Sequence, residues 1–179
     1  LYIKMNLKDH IRSIQDYPKK GILFRDITTL IKNETAFTKC IDEIIEKSNK
    51  FEFNKIAAIE ARGFVFASAV SYILKKPFIL LRKKNKLPAD THSVDFELEY
   101  GKATMEVHKD SIAKDDSVLL IDDLVATGGT SEAAAKLIEI SKGKVAGFVF
   151  VINLFDIGGC DKLLKKGFKV ENLIEFPGH

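Results

Sequence analysis

Cysteine is scarce in this chain. Only Cys40 and Cys160 occur, far apart and in no metal or redox spacing. No disulfide framework follows from them, and a reducing, cytoplasmic compartment is the expectation. Histidine is equally thin: His10, His92, His108 and His179 form no ligand cluster along the sequence. No apolar run approaches the ~20 residues that a membrane-crossing helix needs, so no membrane partner is expected. The apolar start around Leu1 and Met5 is short and is followed at once by charged residues, which is too little for a leader. Residues 1–4 read either as appended residues or as an alternative start. Neither sign of charge dominates. Lys and Arg number 28 against 25 Asp and Glu, a formal charge of +3, too mild to imply a nucleic-acid partner. Internal repeats and low-complexity tracts are also missing.

What is present suits one globular domain over residues 1–179, with 46% hydrophobic and 30% charged residues. Residues 118–121 (Val-Leu-Leu-Ile) form a run of β-formers that reads as a buried parallel strand. Residues 122–129 then read as a loop, 130–140 as a helix stopped at Gly143, and 145–152 as the next strand, together one βαβ unit. The same rhythm precedes it: helix 36–48, strand 56–59, helix 63–74 and strand 77–81. The expected class is therefore α/β, a mainly parallel central sheet flanked by helices. Residues 1–30 and about 155–179 break the alternation and are expected to form a small cap over the sheet. Residues 83–94 show no period. They read either as a solvated connection or as a lid, and three lysines within four positions favour closure on an anion.

In open α/β sheets, ligands bind beyond the carboxyl ends of the strands. Three polar clusters fall at such ends: Glu60-Ala61-Arg62-Gly63, Arg82-Lys83-Lys84, and Asp122-Asp123 with the loop that follows. That loop, Ala126-Thr127-Gly128-Gly129-Thr130, has small residues and two glycines just before a helix. Free backbone N–H groups there can cradle a phosphate. It is neither a Walker A loop nor a dinucleotide fingerprint. Two glycines alone would read as an ordinary turn. The adjacent carboxylates Asp122 and Asp123 change that, because they repel each other unless something occupies them. Acceptors there suit sugar hydroxyls or a hydrated metal ion.

The stretch from Val118 to Ser131 resembles the phosphoribosyl-pyrophosphate motif of the type I phosphoribosyltransferases: an apolar strand, two acids, then Ala-Thr-Gly-Gly-Thr. Other stretches are similar to the adenine-specific branch of that family, in the same order. They are 21–28 (Gly-Ile-Leu-Phe-Arg-Asp-Ile-Thr), 60–64 (Glu-Ala-Arg-Gly-Phe), 82–88 (Arg-Lys-Lys-Asn-Lys-Leu-Pro), 98–102 (Leu-Glu-Tyr-Gly-Lys) and the ending Phe-Pro-Gly-His. The resemblance covers the chain from about Asn6. Ala61 stands where some members have Ser, with little effect expected because backbone groups do the work there.

The resemblance implies that adenine and 5-phosphoribosyl 1-pyrophosphate give AMP and pyrophosphate, with Mg²⁺ bound through substrate and water, in a homodimer. It places Ala126, Thr127, Gly128, Gly129 and Thr130 on the 5-phosphate, and Asp122 and Asp123 on the ribose hydroxyls. Ala61 and Arg62 face the pyrophosphate. Arg82, Lys83, Lys84 and Lys86 belong to the lid or its border, and Arg82 approaches the partner's site. Leu23, Phe24 and Arg25 frame adenine, and Glu99 is the acid/base near the purine imidazole nitrogen. Taken without the resemblance, Glu99 reads as a surface carboxylate, Phe24 as core, and Arg25-Asp26 equally as an ion pair. Three other readings share part of the pattern. A transferase for xanthine, hypoxanthine or orotate would keep the 122–130 motif. A non-catalytic phosphoribosyl-pyrophosphate sensor that binds DNA would need a further domain. A doubly wound signalling domain would not need the glycine loop.

Overall fold

A computed structural model describes residues 4–98 and 100–179. A single 3₁₀ turn at Leu7–His10 leads into the hairpin β1 (Arg12–Gln15) and β2 (Leu23–Asp26). Helices α1 (Thr28–Ile31) and α2 (Glu34–Ser48) follow. The body then runs β3 (Lys55–Ile59), α3 (Arg62–Leu74), β4 (Phe78–Lys83), β5 (Thr91–Glu97) and β6 (Lys102–His108). It ends with β7 (Ser117–Val125), α4 (Gly129–Ile140), β8 (Lys144–Leu154), α5 (Gly159–Lys165) and β9 (Val170–Phe176).

The strands β3 to β9 form one sheet in the order β5-β6-β4-β3-β7-β8-β9. The neighbours from β4 through β9 pair in parallel, and β6 and β5 extend the sheet antiparallel. The expected mainly parallel α/β class is what the sheet shows. The middle one of its five parallel strands, β7, explains why. Leu119 and Ile121 of β7 point into one core with Ile41 and Ile44 of α2 and Phe66 and Val70 of α3. Val118 and Leu120 point into the other, with Ala134, Leu137 and Ile138 of α4. A strand covered on both faces has no polar side to present, hence its unbroken apolar run. Local signals set the helices: the Asn33 side chain accepts the Ala36 N–H at 2.9 Å and starts α2, a cap worth about 1 kcal/mol.

Three expectations are corrected and one strand is added. Strand β7 does not stop at residue 121 but runs through both acids to Val125, because its parallel ladder with β8 continues to Val125 opposite Asn153. The loop is thus 126–128. The aperiodic stretch 83–94 shrinks to a connection at 84–90, since residues 91–94 pair with β6. Residues 102–108, for which the sequence carries no expectation, form a further strand. The C-terminal stretch 155–179 is not wholly a cap: residues 170–176 are an edge strand of the main sheet, parallel to β8.

Candidate active site

The carboxyl ends of β3, β4, β7 and β8 open onto two adjoining clefts. The first has a volume of about 430 Å³ and is lined by Glu60, Arg62, Lys83, Asp122, Asp123 and the 126–128 loop with Thr130 and Ser131. The second, about 590 Å³, lies between the β1–β2 hairpin and the end of β8. Its wall is largely apolar, with Leu23, Phe24, Leu124, Ile152, Leu154 and Ile157. Arg62, Asp123, Leu124, Ala126 and Thr127 belong to both.

The acidic pair has partners within the chain itself. Asp123 is 9% exposed and takes the Arg62 Nε–H at 2.5 Å, while Arg62, at 57%, reaches in from the start of α3. The attraction of Asp123 raises the Arg62 pKa further. The Asp123 amide donates to Asp122 Oδ1 at 2.8 Å. Burial, then the charge of Asp123 beside it, pushes the Asp122 carboxyl well above the usual range. Gly63 is required by this approach: a Cβ there would meet Asp122 Oδ1 at 2.9 Å and the Ile121 carbonyl at 3.4 Å.

The loop after β7 is built by glycine. Gly128 has φ +83° and precedes α4 directly. Glu132 N–H bonds back to the Gly128 carbonyl at 2.9 Å, so the amides of Gly129, Thr130 and Ser131 lie in the first turn, where the helix itself uses no N–H. Beneath the loop, Gly159 N–H donates to the Ala126 carbonyl at 2.9 Å. A Cβ on Gly159 would lie 2.3 Å from that carbonyl and 2.8 Å from the Gly128 nitrogen.

In the second cleft, Phe24 stands edge-on to Tyr17 at 5.1 Å between ring centroids. Arg25 does not pair with Asp26. Its guanidinium lies 4.4 Å from the centroid of the Phe176 ring, and its two Nη groups donate to Ser13 Oγ (2.6 Å) and the Pro177 carbonyl (2.9 Å). Burial lowers the Arg25 pKa, with the charge of Asp156 opposing. Asp26 instead takes Arg12 Nη2 at 2.5 Å, the Thr28 hydroxyl at 2.6 Å and the Thr28 amide at 3.0 Å. The Thr28 hydroxyl bond, then Arg12, lowers its carboxyl to about 2.

At the first cleft's other rim, Glu60 Oε1 accepts the Lys83 amide at 2.6 Å and lies 3.4 Å from Arg82 Nε. Burial would raise the Glu60 pKa, but the Lys83 amide and Arg82 outweigh it and the net shift is downward. Of the four basic lid residues expected from the sequence, Lys83 lines the cleft. Arg82 braces its rim, and Lys84 and Lys86 are outside the lining. Glu99 lies outside the described residues.

Comparison with known proteins decides the family. The family model described as a phosphoribosyl transferase domain matches residues 27–176. A curated adenine phosphoribosyltransferase of Pelagibacter ubique is 77% identical over 175 residues, spanning 98% of this chain and all of the relative. The chain belongs to the adenine phosphoribosyltransferases. Among solved members, the enzyme of Thermoanaerobacter pseudethanolicus superposes with a TM-score of 0.91 at 43% identity, covering 95% of this chain and 98% of that one. The Saccharomyces cerevisiae enzyme, complexed with an imino-altritol bisphosphate and adenine, gives 0.86 at 31% identity, covering 94% and 96%.

Set against that family, the sequence reading missed Glu60, Gly63 and Gly159 as builders of the site. Glu60 was within reach, as an acid in a strand-end cluster otherwise read for its cation. Gly158-Gly159 was a second glycine pair ahead of a short helix. Nothing in the sequence joins it to the 126–128 loop, because that contact exists only once β7 and β8 lie side by side.

Proposed function

We propose that the protein transfers the 5-phosphoribosyl group of phosphoribosyl pyrophosphate to adenine, giving AMP and pyrophosphate, the reaction of a pentosyltransferase in purine salvage. The observation that carries this reading is the shared wall of the two clefts. One cleft offers amides and charges to a sugar phosphate, the other an apolar slot to a flat base. A bond made across Arg62, Asp123 and Leu124 joins what the two hold.

In this reading Ala126, Thr127, Gly128, Gly129 and Thr130 take the 5-phosphate with the α4 amides and dipole. Asp122 and Asp123 accept from the ribose hydroxyls, which compete with Arg62 for Asp123. Released from that pair, Arg62 meets the charge that gathers on departing pyrophosphate, with the Ala61 backbone, Arg82 and Lys83 beside it. Lys84 and Lys86 serve the same charge from the 84–90 connection. Leu23, Phe24 and Arg25 frame adenine. As the bond from N9 to the sugar forms and the bond to pyrophosphate breaks, the N9 proton passes to Glu99. Closure of the 84–90 connection and the β5–β6 hairpin excludes water, which would otherwise compete with the base as nucleophile.

Magnesium fits this cleft as an ion carried by the substrate. Glu60, Asp122 and Asp123 line it, yet among the described residues no three His, Cys, Asp or Glu side chains converge as a metal cage. Bound there, Mg²⁺ supplies positive charge to the pyrophosphate oxygens.

A homodimer is supported by large apolar side chains left exposed in the described residues. They include Tyr72 (86% exposed) and Ile73 of α3 and Leu80 (39%) of β4, and Arg82 follows two residues after Leu80 on the same side of its strand. The whole chain then acts as one catalytic domain, with the hairpin and the residues after β9 as its cap. Two buried, unpaired cysteines suit a reducing cytoplasm, and no described helix is long and apolar enough to cross a membrane.

The test supplies adenine, phosphoribosyl pyrophosphate and Mg²⁺ and measures both products. AMP and pyrophosphate should appear in equal amounts, and complete chelation should stop both. Pyrophosphate without AMP would reduce the protein to a hydrolase of the sugar donor and overturn the reading.

A further inference from the structure

The stretch just after β9 runs along the wall of the second cleft, tied at three points. The Phe155 N–H donates to the Phe176 carbonyl at 3.1 Å, continuing the β8–β9 ladder. The Gly178 N–H donates to Asp156 Oδ1 at 2.6 Å. The Pro177 carbonyl, between them, accepts from Arg25 Nη2 at 2.9 Å. Gly178, Ile157 and Arg25 all line the cleft. The fit is close: a Cβ on Gly178 would lie 2.3 Å from Ile157 Cδ1, 2.4 Å from its Cγ1 and 3.0 Å from Asp156 Oδ1.

Arg25 has few donors to spare for a base. One Nη serves Ser13 Oγ and the other Pro177, and its plane covers the Phe176 ring at 4.4 Å. Nε is buried without an acceptor, so it does not face the open cleft. The fork thus spans the hairpin strand β1, through Ser13, and the strap after β9, through Pro177. A guanidinium suits this task because its planar fork fixes two acceptors at once and stacks on an aromatic face.

We propose that the Arg25 side chain is a positioning residue for the base. It buckles residues 176–178 against the β1–β2 hairpin, so that Gly178 and Ile157 wall the cleft that Phe24 also lines. Resting on the assignment of adenine to this cleft, the proposal says what sets the cleft's width. Arg25 acts on the base through the strap, and Gly178 is glycine because the wall has no space for a side chain.

The test is steady-state kinetics with adenine and phosphoribosyl pyrophosphate varied separately, after AMP formation by the unaltered protein has been established. If the unaltered protein makes no AMP, the functional assignment fails before the strap is tested. Given that activity, Arg25→Ala and Gly178→Val should each raise KM for adenine about ten-fold, the scale of a lost charge-assisted hydrogen bond. KM for phosphoribosyl pyrophosphate should stay within about two-fold. Arg25→Lys, which keeps the cation over Phe176 but loses the fork, should fall between. The double variant should be no worse than the poorer single by more than about two-fold, because both remove one wall. Multiplying effects would mean that Arg25 touches the base independently, and would overturn the proposal. So would equal rises in both KM values, or unchanged KM for adenine. Should Arg25→Ala not fold, Asp156→Asn, which removes the charge facing Arg25 but keeps an acceptor for the Gly178 N–H, should leave both KM values within about two-fold, and Asp156→Ala, which removes that acceptor as well, should raise KM for adenine alone.

Discussion

Asp122 and Asp123 are neighbours in sequence with different tasks in the fold. Asp123 is paired with Arg62 at 2.5 Å, whereas Asp122 is pushed toward its protonated form by burial and by the charge of Asp123. A carboxyl whose folded pKa is raised stabilises the protein below its unfolded value and loses that contribution as pH rises through the folded value. Asp122→Asn should therefore raise the thermal midpoint more at pH 8 than at pH 5, while raising KM for phosphoribosyl pyrophosphate about ten-fold or more. Asp26 has the opposite sign. Its carboxyl is held at about 2 by Thr28 and Arg12, so its stabilisation is present above the ordinary carboxylate value and fades as pH falls toward 2. Asp26→Asn should lower the thermal midpoint at pH 7 and cost progressively less below pH 4. Glu99→Gln keeps size but cannot exchange a proton, so turnover should fall by about 10²–10⁴ while donor binding survives.

Between elements, the phosphate loop depends on a contact that neither partner segment reveals alone. Gly159→Ala would drive a methyl into the Ala126 carbonyl and the Gly128 nitrogen, both backbone atoms that cannot step aside cheaply. KM for phosphoribosyl pyrophosphate should rise about ten-fold or more, with the adenine KM nearly unchanged. The elements themselves were unevenly legible. The doubly covered β7 announced itself as four consecutive apolar residues, and α2 by its stripe of Ile41 and Ile44. Strand β6 carried a readable signal in Ala103, Met105 and Val107 at every second position, obscured by Glu106 between the last two. Glu106 is itself buried and takes the Asn85 amide at 3.3 Å, a tertiary use of a charge that no pattern announces. Strand β9, with Glu171, Asn172 and Glu175, is polar enough to read as loop and pairs only because β8 supplies its ladder. The Asp122-Asp123 and Ala126–Thr130 motifs lie together on one cleft at the end of β7. The Arg62–Asp123 pair was hidden because 61 residues separate its members and only the β3–β7 pairing brings them together.

For the molecule as a whole, the sheet sets two clefts side by side at the carboxyl ends of its strands and leaves Tyr72, Ile73 and Leu80 exposed. Covered by a second copy, these side chains should give a dimer by sedimentation. Tyr72→Glu combined with Leu80→Glu should yield monomers that keep their fold, with activity lowered if Arg82 serves the neighbouring site. The central claim concerns chemistry, and one measurement reaches it most directly: nucleotide formed from phosphoribosyl pyrophosphate and Mg²⁺ with adenine, hypoxanthine, guanine, xanthine and orotate in parallel. A site built to pair one base edge leaves its polar groups unmatched with another, which can cost a factor of about 10⁴ or more. AMP from adenine, with the other bases turned over far more slowly, is the expected result; turnover of hypoxanthine equal to that of adenine would contradict it.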